Sequence, residues 1–407
     1  MKSYHIAIIG GGAAGLMAAA RCVGSGLDVV LIEKNRECGK KLLITGKGRC
    51  NITNSSPWKD FQTHIHPDKG FLKNAFHHFS NKDVVALLEE AGLQCKEERG
   101  NRIFPVSDRS HDVRDALVKY IRKGGINVAS GCQVLDINRT DNIFTVSLST
   151  NDGDNFVIQA SKVILATGGL SYPTTGSTGD GYAIAGKFGH TIVGTFPSLT
   201  ALKPLNMDPR MEGMLLKNVR LDLWVNGSMV QSEFGETLFT SGGIEGALGF
   251  RVSRKGVKGL VNGQKVELVL DLKPAVELDE LKKRVKEVSQ ECGGKLKKIL
   301  SKLLPAQMVD PFADSNPGLH PDNLASRLKE WRFKIVGYVG YERCVITAGG
   351  VSLDEISRKT MESKVVDGLY LAGEVIDLDG DTGGYNLQIA FSTGALAADS
   401  AVRSISI

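Results

Sequence analysis

The sequence predicts an α/β fold split in two by an inserted segment. Two glycine-rich turns near opposite ends, and a change of texture between them, predict it. Near the N-terminus, residues 4–9 read as an apolar strand running into Gly10-Gly11-Gly12-Ala13-Ala14-Gly15 and a helix of small residues. Near the C-terminus, Gly368 to Gly373 leads through Glu374 and Asp377 to Gly383-Gly384-Tyr385-Asn386 and a second helix start. From about Thr195 the alternation of strand and helix signals gives way to hairpin-rich antiparallel patterning, and Ala348-Gly349-Gly350-Val351 carries the chain back.

The first turn has a physical rationale at each position. Gly10 permits the tight bend from strand to helix, Gly12 lets backbone approach a pyrophosphate, and Gly15 lets helix pack on strand. Amides at the helix start, beside Ala13 and Ala14, face anionic phosphates with the positive end of the dipole. A second apolar strand, residues 29–32, ends in Glu33, where an acid accepts ribose hydroxyls and disfavours a 2′-phosphate. A lone G-x-G-x-x-G is weak; the flanking strand, the helix and Glu33 together make it a dinucleotide site. An NAD domain needs only this turn. A second glycine turn from the far end points to FAD, whose two ends lie far apart.

Between these ends, residues 38–51 carry three glycines and four cations and read as a loop over the pyrophosphate and flavin edge. Residues 73–91 and 112–123 read as helices, the second capped near Ser110 or Asp112. Residues 127–138, 144–149 and 156–160 read as strands with Asp152-Gly153 as a hairpin turn, and residues 163–166 as a buried strand ending in Thr167-Gly168-Gly169. In the insert, residues 221–225, 228–232 and 266–272 read as antiparallel strands with hairpin turns at Asn226-Gly227 and Asn262-Gly263. Helices follow over 278–292, 294–304 and 322–330, and a strand over 333–343. The domain boundaries read from this are 1–194 and 346–407 for the nucleotide-binding domain, 195–273 for a β insert, 274–330 for a helical insert and 331–345 for a returning strand.

Composition narrows the class. The chain has 407 residues, an ordinary globular composition and a formal charge of +5. No apolar run reaches the length of a membrane span, and Lys2 alone precedes the apolar start, so neither a membrane anchor nor a signal peptide is expected. Seven cysteines without C-x-x-C spacing suggest reduced thiols and a cytoplasmic location. No metal is expected: His64/His66 and His77/His78 read as loop or surface histidines, and Asp377, Asp379 and Asp381 as an exposed loop. Lysines between Lys282 and Lys302 alternate with Leu281, Val285, Leu296, Ile299 and Leu300, the pattern of a solvated face on a two-helix unit; nucleic-acid contact is the minor reading.

The residues Gly39-Lys40-Lys41 through Gly48-Arg49-Cys50-Asn51, Ala166-Thr167-Gly168-Gly169, Thr347-Ala348-Gly349-Gly350-Val351 and Gly368-Leu369-Tyr370-Leu371-Ala372-Gly373-Glu374, continuing to Gly383-Gly384-Tyr385-Asn386-Leu387-Gln388, span nearly the whole chain. In these the chain resembles the bacterial aminoacetone oxidase-like family of FAD-binding flavoproteins, in the glutathione-reductase-like superfamily near the fumarate reductase branch. The resemblance implies a Rossmann-like FAD-binding domain split by a β-barrel-like plus helical cap. Gly10, Gly12, Ala13, Ala14 and Gly15 are expected on the pyrophosphate, Glu33 on the adenosine ribose, Lys34 and Lys41 beside the adenine half, and Val134 on adenine through its backbone. Thr167 and Gly168 are expected under the pyrophosphate and ribityl chain, with Arg49, Cys50 and Asn51 reaching towards ribityl or isoalloxazine. Glu374, after Gly373, stands where many relatives carry Asp for ribityl or phosphate. Gly384, Tyr385, Asn386 and Leu387 open the last helix, whose amides suit flavin N1 and O2. Glu245-Gly246-Ala247 replaces a Ser-Gly-Pro usual in the family, so substrate does not transfer.

The expected activity is FAD-dependent oxidation or reduction of a small organic substrate by hydride transfer at flavin N5, with an NAD(P)H-linked reductase preferred. The alternatives are an amine or aminoketone oxidase using dioxygen, a tRNA-acting flavoprotein, and a non-catalytic flavin sensor. No second G-x-G-x-x-G follows a strand, so NAD(P)H would bind transiently. Catalytic residues and oligomeric state are not legible; Tyr172, Arg102, Tyr385 and His190 are the polar groups on offer.

Overall fold

The computed structural model describes residues 1–405 and contains two compact units. The first comprises Met1–Thr195 and the stretch from Ile346 onward; the second is Phe196–Val345.

The first unit is built on a seven-stranded sheet. The first strand, Lys2–Ile9, lies between Val29–Glu33 and Asn155–Leu165, parallel to both, with Ile9 opposite Ile32 and Leu165. Asn127–Ser130 extends the sheet beyond Val29–Glu33, and Leu369–Leu371 adds a parallel strand on Asn155–Leu165. Strands buried on both faces read as continuous apolar runs, which is why Ile6–Ile9 and Val29–Ile32 show no alternation. Asn155–Leu165 is one strand where the sequence suggested two. Its first half pairs antiparallel with Ile143–Thr150 and its second half joins the parallel sheet, so the polar Ser161-Lys162 marks a change of partner and not a break. In the same way the strand expected over 127–138 is two, separated at Gly131 with φ 71°. The helix expected over 73–91 is also two, Lys73–His78 and Asn81–Glu90, parted by a capping box between Ser80 and Asp83.

Helix Ala13–Arg21 packs on the last helix, Tyr385–Ile405, through small residues. A Cβ at Gly394 would stand 2.4 Å from the Ala14 carbonyl oxygen, and one at Gly373 2.7 Å from the Ala14 Cβ. The two ends of the chain therefore meet at Ala14.

The second unit holds a closed six-stranded barrel of Leu202–Pro204, Gly243–Glu245, Ser228–Thr240, Leu215–Val225, Val266–Asp271 and Trp331–Tyr338. Leu221, Leu223, Phe239, Leu268, Leu270 and Trp331 fill its core. Asn226-Gly227 forms the expected hairpin turn, both residues at positive φ. Asn262-Gly263 does not: it terminates a helix, Gly246–Val261, with Gly263 at φ 71°. The sequence hid this helix behind four glycines, each unfavourable in a helix by about 1 kcal/mol relative to Ala. Three of them lie against the barrel. A Cβ at Gly249 would meet the Ile244 carbonyl oxygen at 2.9 Å, at Gly256 the Leu202 side chain at 3.0 Å, and at Gly259 the Val266 side chain at 3.0 Å. Helices Leu278–Glu291, Leu296–Leu303, Ala306–Asp314 and Pro321–Lys329 follow; the third, with Pro311 inside it, was not expected. Among the described residues no helix is long and apolar enough to cross a membrane.

Gly394→Ala, which drives a methyl into backbone, is expected to destabilise the protein by about 1–3 kcal/mol. Gly186→Ala, in open space on helix Asp180–Lys187, is expected to be neutral or to stabilise by up to about 1 kcal/mol. Denaturant midpoints of the two variants against the parent check the contrast.

Candidate functional site

The first strand ends in a turn where backbone lies on backbone. Gly10 has φ 103°, and a Cβ there would stand 2.5 Å from the Ala166 carbonyl oxygen; at Gly15 it would stand 1.8 Å from the Gly10 oxygen. Gly12, the N-cap of helix Ala13–Arg21, instead has nothing within 4 Å, and the helix has no acid in its first turn. This leaves open space at the positive end of a helix dipole, suited to a diphosphate. Glu33, 8 % exposed, reaches back from the end of its strand: one carboxylate oxygen accepts from the Gly11 amide at 2.8 Å, the other from the Asn35 amide and side chain at 2.7 Å each.

Beside the turn, Thr167 and Gly168 follow the strand Asn155–Leu165. The Thr167 backbone lies on Gly10, where a Cβ would stand 2.9 Å from the Thr167 Cα, while its shielded hydroxyl lies against Gly181 of helix Asp180–Lys187, where a Cβ would stand 2.0 Å from the Oγ1. The open face of Gly12, at the acid-free start of helix Ala13–Arg21, is what the diphosphate of a dinucleotide would fill, so the residues present fit FAD.

Three further segments converge on Glu374. Its Oε2 accepts from Lys41 Nζ at 2.7 Å, and its Oε1 from Ser171 Oγ at 2.5 Å and the Thr347 amide at 2.9 Å. Lys41 also donates to Ser171, and the Thr347 hydroxyl accepts from the Leu170 and Ser171 amides. Burial pushes the Glu374 carboxyl up, but the Lys41 charge and the hydrogen bonds outweigh it and hold it below the usual range. Both oxygens of Glu374 are thus used in tying the loop, the Gly169–Ser171 turn and the returning strand Ile346–Val351 together. Ser171 and Thr347 were not singled out from the sequence; only Thr347's place at the head of Thr-Ala-Gly-Gly-Val hinted at it.

At the opening of the last helix, Gly383 and Gly384 have φ 123° and 99°, and a Cβ at Gly384 would stand 2.4 Å from the Thr53 carbonyl carbon. With its amide oriented to satisfy both neighbours, Asn51 accepts from the Gly384 amide at 3.0 Å and donates to the Thr53 carbonyl at 3.1 Å. Thr53 donates to Gln388, which in turn donates to the Phe79 carbonyl and to Ser392. Tyr385 is buried, Leu387 is partly buried, and the Asn386 side chain bonds the backbone of Gly380.

The structure therefore brings together Gly10, Gly12, Ala13, Ala14, Gly15, Glu33, Thr167, Gly168 and Gly373, sets Lys41 on Glu374, and joins Asn51 to Gly384. The side chains of the other expected residues have partners or surroundings within the protein. Lys34 donates to Thr178 and Asp180, at 2.6 and 2.7 Å. The Arg49 guanidinium is held by Glu98, Asp108 and the face of Phe104. Val134 sits mid-strand opposite Leu148. Cys50 is buried at φ 61°, and burial pushes its thiol up to about 12. His190 is enclosed between Glu355 and Ser363 and offers nothing to a ligand.

Removing Lys41 leaves the Glu374 charge without its cation. Lys41→Met is expected to cost about 3 kcal/mol, and Lys41→Met/Glu374→Gln to regain more than half of it. Because the Glu374 pKa is depressed on folding, the pair's contribution is complete above about pH 4.3 and is lost as pH falls through the folded value. Denaturation midpoints between pH 3 and pH 7 test both statements.

Known proteins give this geometry a context. The chain is 31 % identical to the 3-dehydro-bile acid delta(4,6)-reductase of Clostridium scindens, over 98 % of this chain and 99 % of that one. It is 30 % identical to the ribosomal RNA dihydrouridine synthase of Escherichia coli, over 97 % and 96 %. The solved 3-ketosteroid-delta4-(5alpha)-dehydrogenase of Rhodococcus jostii RHA1 shares the fold with a TM-score of 0.55 at 14 % identity, over 98 % and 97 %. Residues 4–400 match the family described as HI0933-like protein Rossmann domain, so the chain belongs to that family and is an FAD-dependent oxidoreductase.

Proposed function

We propose that this enzyme reduces a C=C bond conjugated to a carbonyl group, with NAD(P)H as electron donor. One observation carries the reading. The two full-length relatives differ in substrate, yet both names describe saturation of such a bond: a Δ4,6 system beside a 3-keto group, and the 5,6 bond of a uracil ring. When bound, FAD supplies hydride transfer at its N5 position. The chain's own contribution is to hold that group. The open face of Gly12 would take the diphosphate, Glu33 would accept from the ribose, and the start of helix Tyr385–Ile405 would offer its positive dipole end to the flavin. Net, one NAD(P)H and one proton are consumed per bond, hydride adding to the carbon β to the carbonyl and the proton to the α carbon.

The acceptor has two readings. A basic face favours a uracil ring carried in RNA. Lys282, Lys283, Arg284, Lys286, Lys295, Lys297, Lys298 and Lys302 are all exposed; Glu287 and Glu291 lie between them in sequence, and Lys282 and Lys297 pair with Asp279 and Asp310 at 2.9 Å each. Helices Leu278–Glu291 and Leu296–Leu303 bury Leu281, Val285, Ile299, Leu300 and Leu303 beneath. An open depression of about 450 Å³ on this face is lined by Lys297, Lys298, Lys302, Ser301, Cys292 and Glu291. Such a surface suits a phosphate backbone, with affinity that falls steeply with salt. The other reading is a free enone of steroid type, for which that face has no use.

Anaerobic mixing with NADPH or NADH is expected to bleach the flavin bands, and an acceptor of the right class to restore them. Flavin that stays oxidised with both donors, but bleaches with amines or aminoketones and recovers in air, would overturn the reading in favour of an oxidase. Incubation with unmodified ribosomal RNA and NADPH is expected to add two mass units to a uridine. Turnover of a 3-keto-Δ4 steroid with no change in RNA selects the small enone. Lys297→Glu/Lys298→Glu is expected to weaken RNA binding about tenfold or more at low salt, with enone reduction unchanged.

A further inference from the structure

The peptide between Gly383 and Gly384 is held at both of its polar ends by side chains from one short segment. Asn54, 2 % exposed, donates from Nδ2 to the Gly383 carbonyl at 3.1 Å and to the Gly100 carbonyl at 3.0 Å. Its Oδ1 accepts from the Ser56 amide at 3.0 Å. Asn51, three residues earlier, accepts from the Gly384 amide at 3.0 Å. The carbonyl and the N–H of a trans peptide point in opposite directions, so the two asparagines grip the unit from opposite sides. Asn54 is itself fixed by Asn81, which donates to the Asn54 and Ser56 carbonyls at 2.6 and 2.9 Å.

Nothing intrinsic to the two residues fixes this peptide. Gly383 has φ 123° and Gly384 99°, and a peptide flanked by glycines turns over with little steric hindrance. A Cβ at Gly384 would stand 2.4 Å from the Thr53 carbonyl carbon, so no side chain can take over the task there. The residues before it are pinned separately. Ile65–His66 pairs antiparallel with Asp379–Gly380, and the Asp381 carboxylate bridges His64 Nδ1 at 2.8 Å and His66 Nε2 at 3.2 Å. Asn386 bonds Gly380 in both directions, at 2.8 and 2.7 Å. The residues after it are held by the helix, through a bond from the Gln388 amide to the Gly384 carbonyl at 3.3 Å. Between these fixed stretches the orientation of one peptide rests on Asn51 and Asn54.

We propose that Asn51 and Asn54 are positioning residues for FAD, which grip the two ends of the Gly383–Gly384 peptide and so hold the entry of helix Tyr385–Ile405 in the orientation that receives the flavin. The proposal rests on the reading that this helix opens against the flavin. Two features join the grip to the cofactor. Gly394, seated on Ala14, comes nine residues after Tyr385, so the helix begins about 14 Å along its axis from that meeting point. Neither this helix nor Ala13–Arg21 has an acid in its first turn, so the two starts offer separated positive ends, as an extended dinucleotide requires. The gripped peptide comes directly before the second start. Each peptide carries a dipole of about 3.5 D, and turning this one over reverses that dipole where the flavin would lie. Asn51, expected from sequence to reach the ribityl chain or the ring, acts instead through backbone.

The test uses the full-length protein and FAD itself. FAD dissociation constants are measured by titrating the apoprotein of the parent, Asn51→Ala, Asn54→Ala, the double variant and Ser56→Ala. The midpoint potential of the flavin is measured on the same proteins at saturating FAD. Each asparagine variant is expected to bind FAD about five- to thirtyfold more weakly. Its flavin potential is expected to be more negative, because the reduced form, which carries more negative charge, loses most. Since both side chains hold one peptide, the double variant is expected to depart from the product of the single effects. Ser56→Ala releases Asn101 on the neighbouring hairpin but neither end of the peptide, and is expected to bind FAD as the parent does. Asn51 is only partly buried, so Asn51→Ala carries the test if Asn54→Ala fails to fold. Parent affinity and potential in folded Asn51→Ala overturn the proposal, as do single effects that simply multiply or an equal weakening by Ser56→Ala. Hydrogen exchange of the parent with and without FAD separates this from failure of the underlying reading. No protection of residues 383–388 by FAD removes both; protection there with unchanged asparagine variants removes the grip alone.

Discussion

Everything in the first unit is arranged around backbone that touches backbone between Gly10 and Gly15. Any side chain at Gly15 would occupy the space of the Gly10 carbonyl, so the turn exists only with hydrogen at that position. Its closeness fixes the direction of helix Ala13–Arg21, and that direction decides where the helix amides point. Glu33 braces the turn from the neighbouring strand by accepting from the Gly11 amide. Its other oxygen accepts from Asn35, so the same carboxylate ties the turn to the loop that follows its own strand.

Around that turn the site is assembled from segments that are remote in sequence and joined by a small number of shielded polar contacts. Glu374 gathers Lys41, Ser171 and Thr347; Gln388 gathers Thr53, Phe79 and Ser392. Each of these hubs is hydrogen-bonded through both side-chain polar atoms to the protein, so they fix the positions of the segments they join.

The fold class was legible because its evidence is local. A strand, a glycine turn, a helix and an acid follow one another within thirty residues, and each obeys a rule about its own neighbours. The hairpins at Asp152-Gly153 and Asn226-Gly227 are local in the same sense. Where meaning depended on partners, the sequence was silent or misleading. Asn262-Gly263 has the composition of a hairpin but ends a helix, because a left-handed residue serves either purpose. Gly246–Val261 looks too rich in glycine to be a helix until the barrel wall beside it is seen. Of the candidate site, the glycine turns and Glu33 announced themselves, whereas Ser171, Thr347 and the meeting of His64 and His66 with Asp381 depend on contacts spanning well over a hundred residues. The direction of Arg49, towards Glu98 and Asp108, is likewise set by strands that its own neighbourhood does not reveal.

The meeting of the two chain ends at Ala14 has a consequence for how the protein is made. Gly373 and Gly394, which close over Ala14, are translated long after it. At about 20 residues per second, roughly 20 s separate the synthesis of Ala14 from that of Gly394. Throughout that interval helix Ala13–Arg21 lacks its partner, and the sheet lacks the strand Leu369–Leu371. A chain stalled or cut short before Tyr385 therefore carries an open apolar seam for chaperones and proteases to find, and helix Tyr385–Ile405 conceals it.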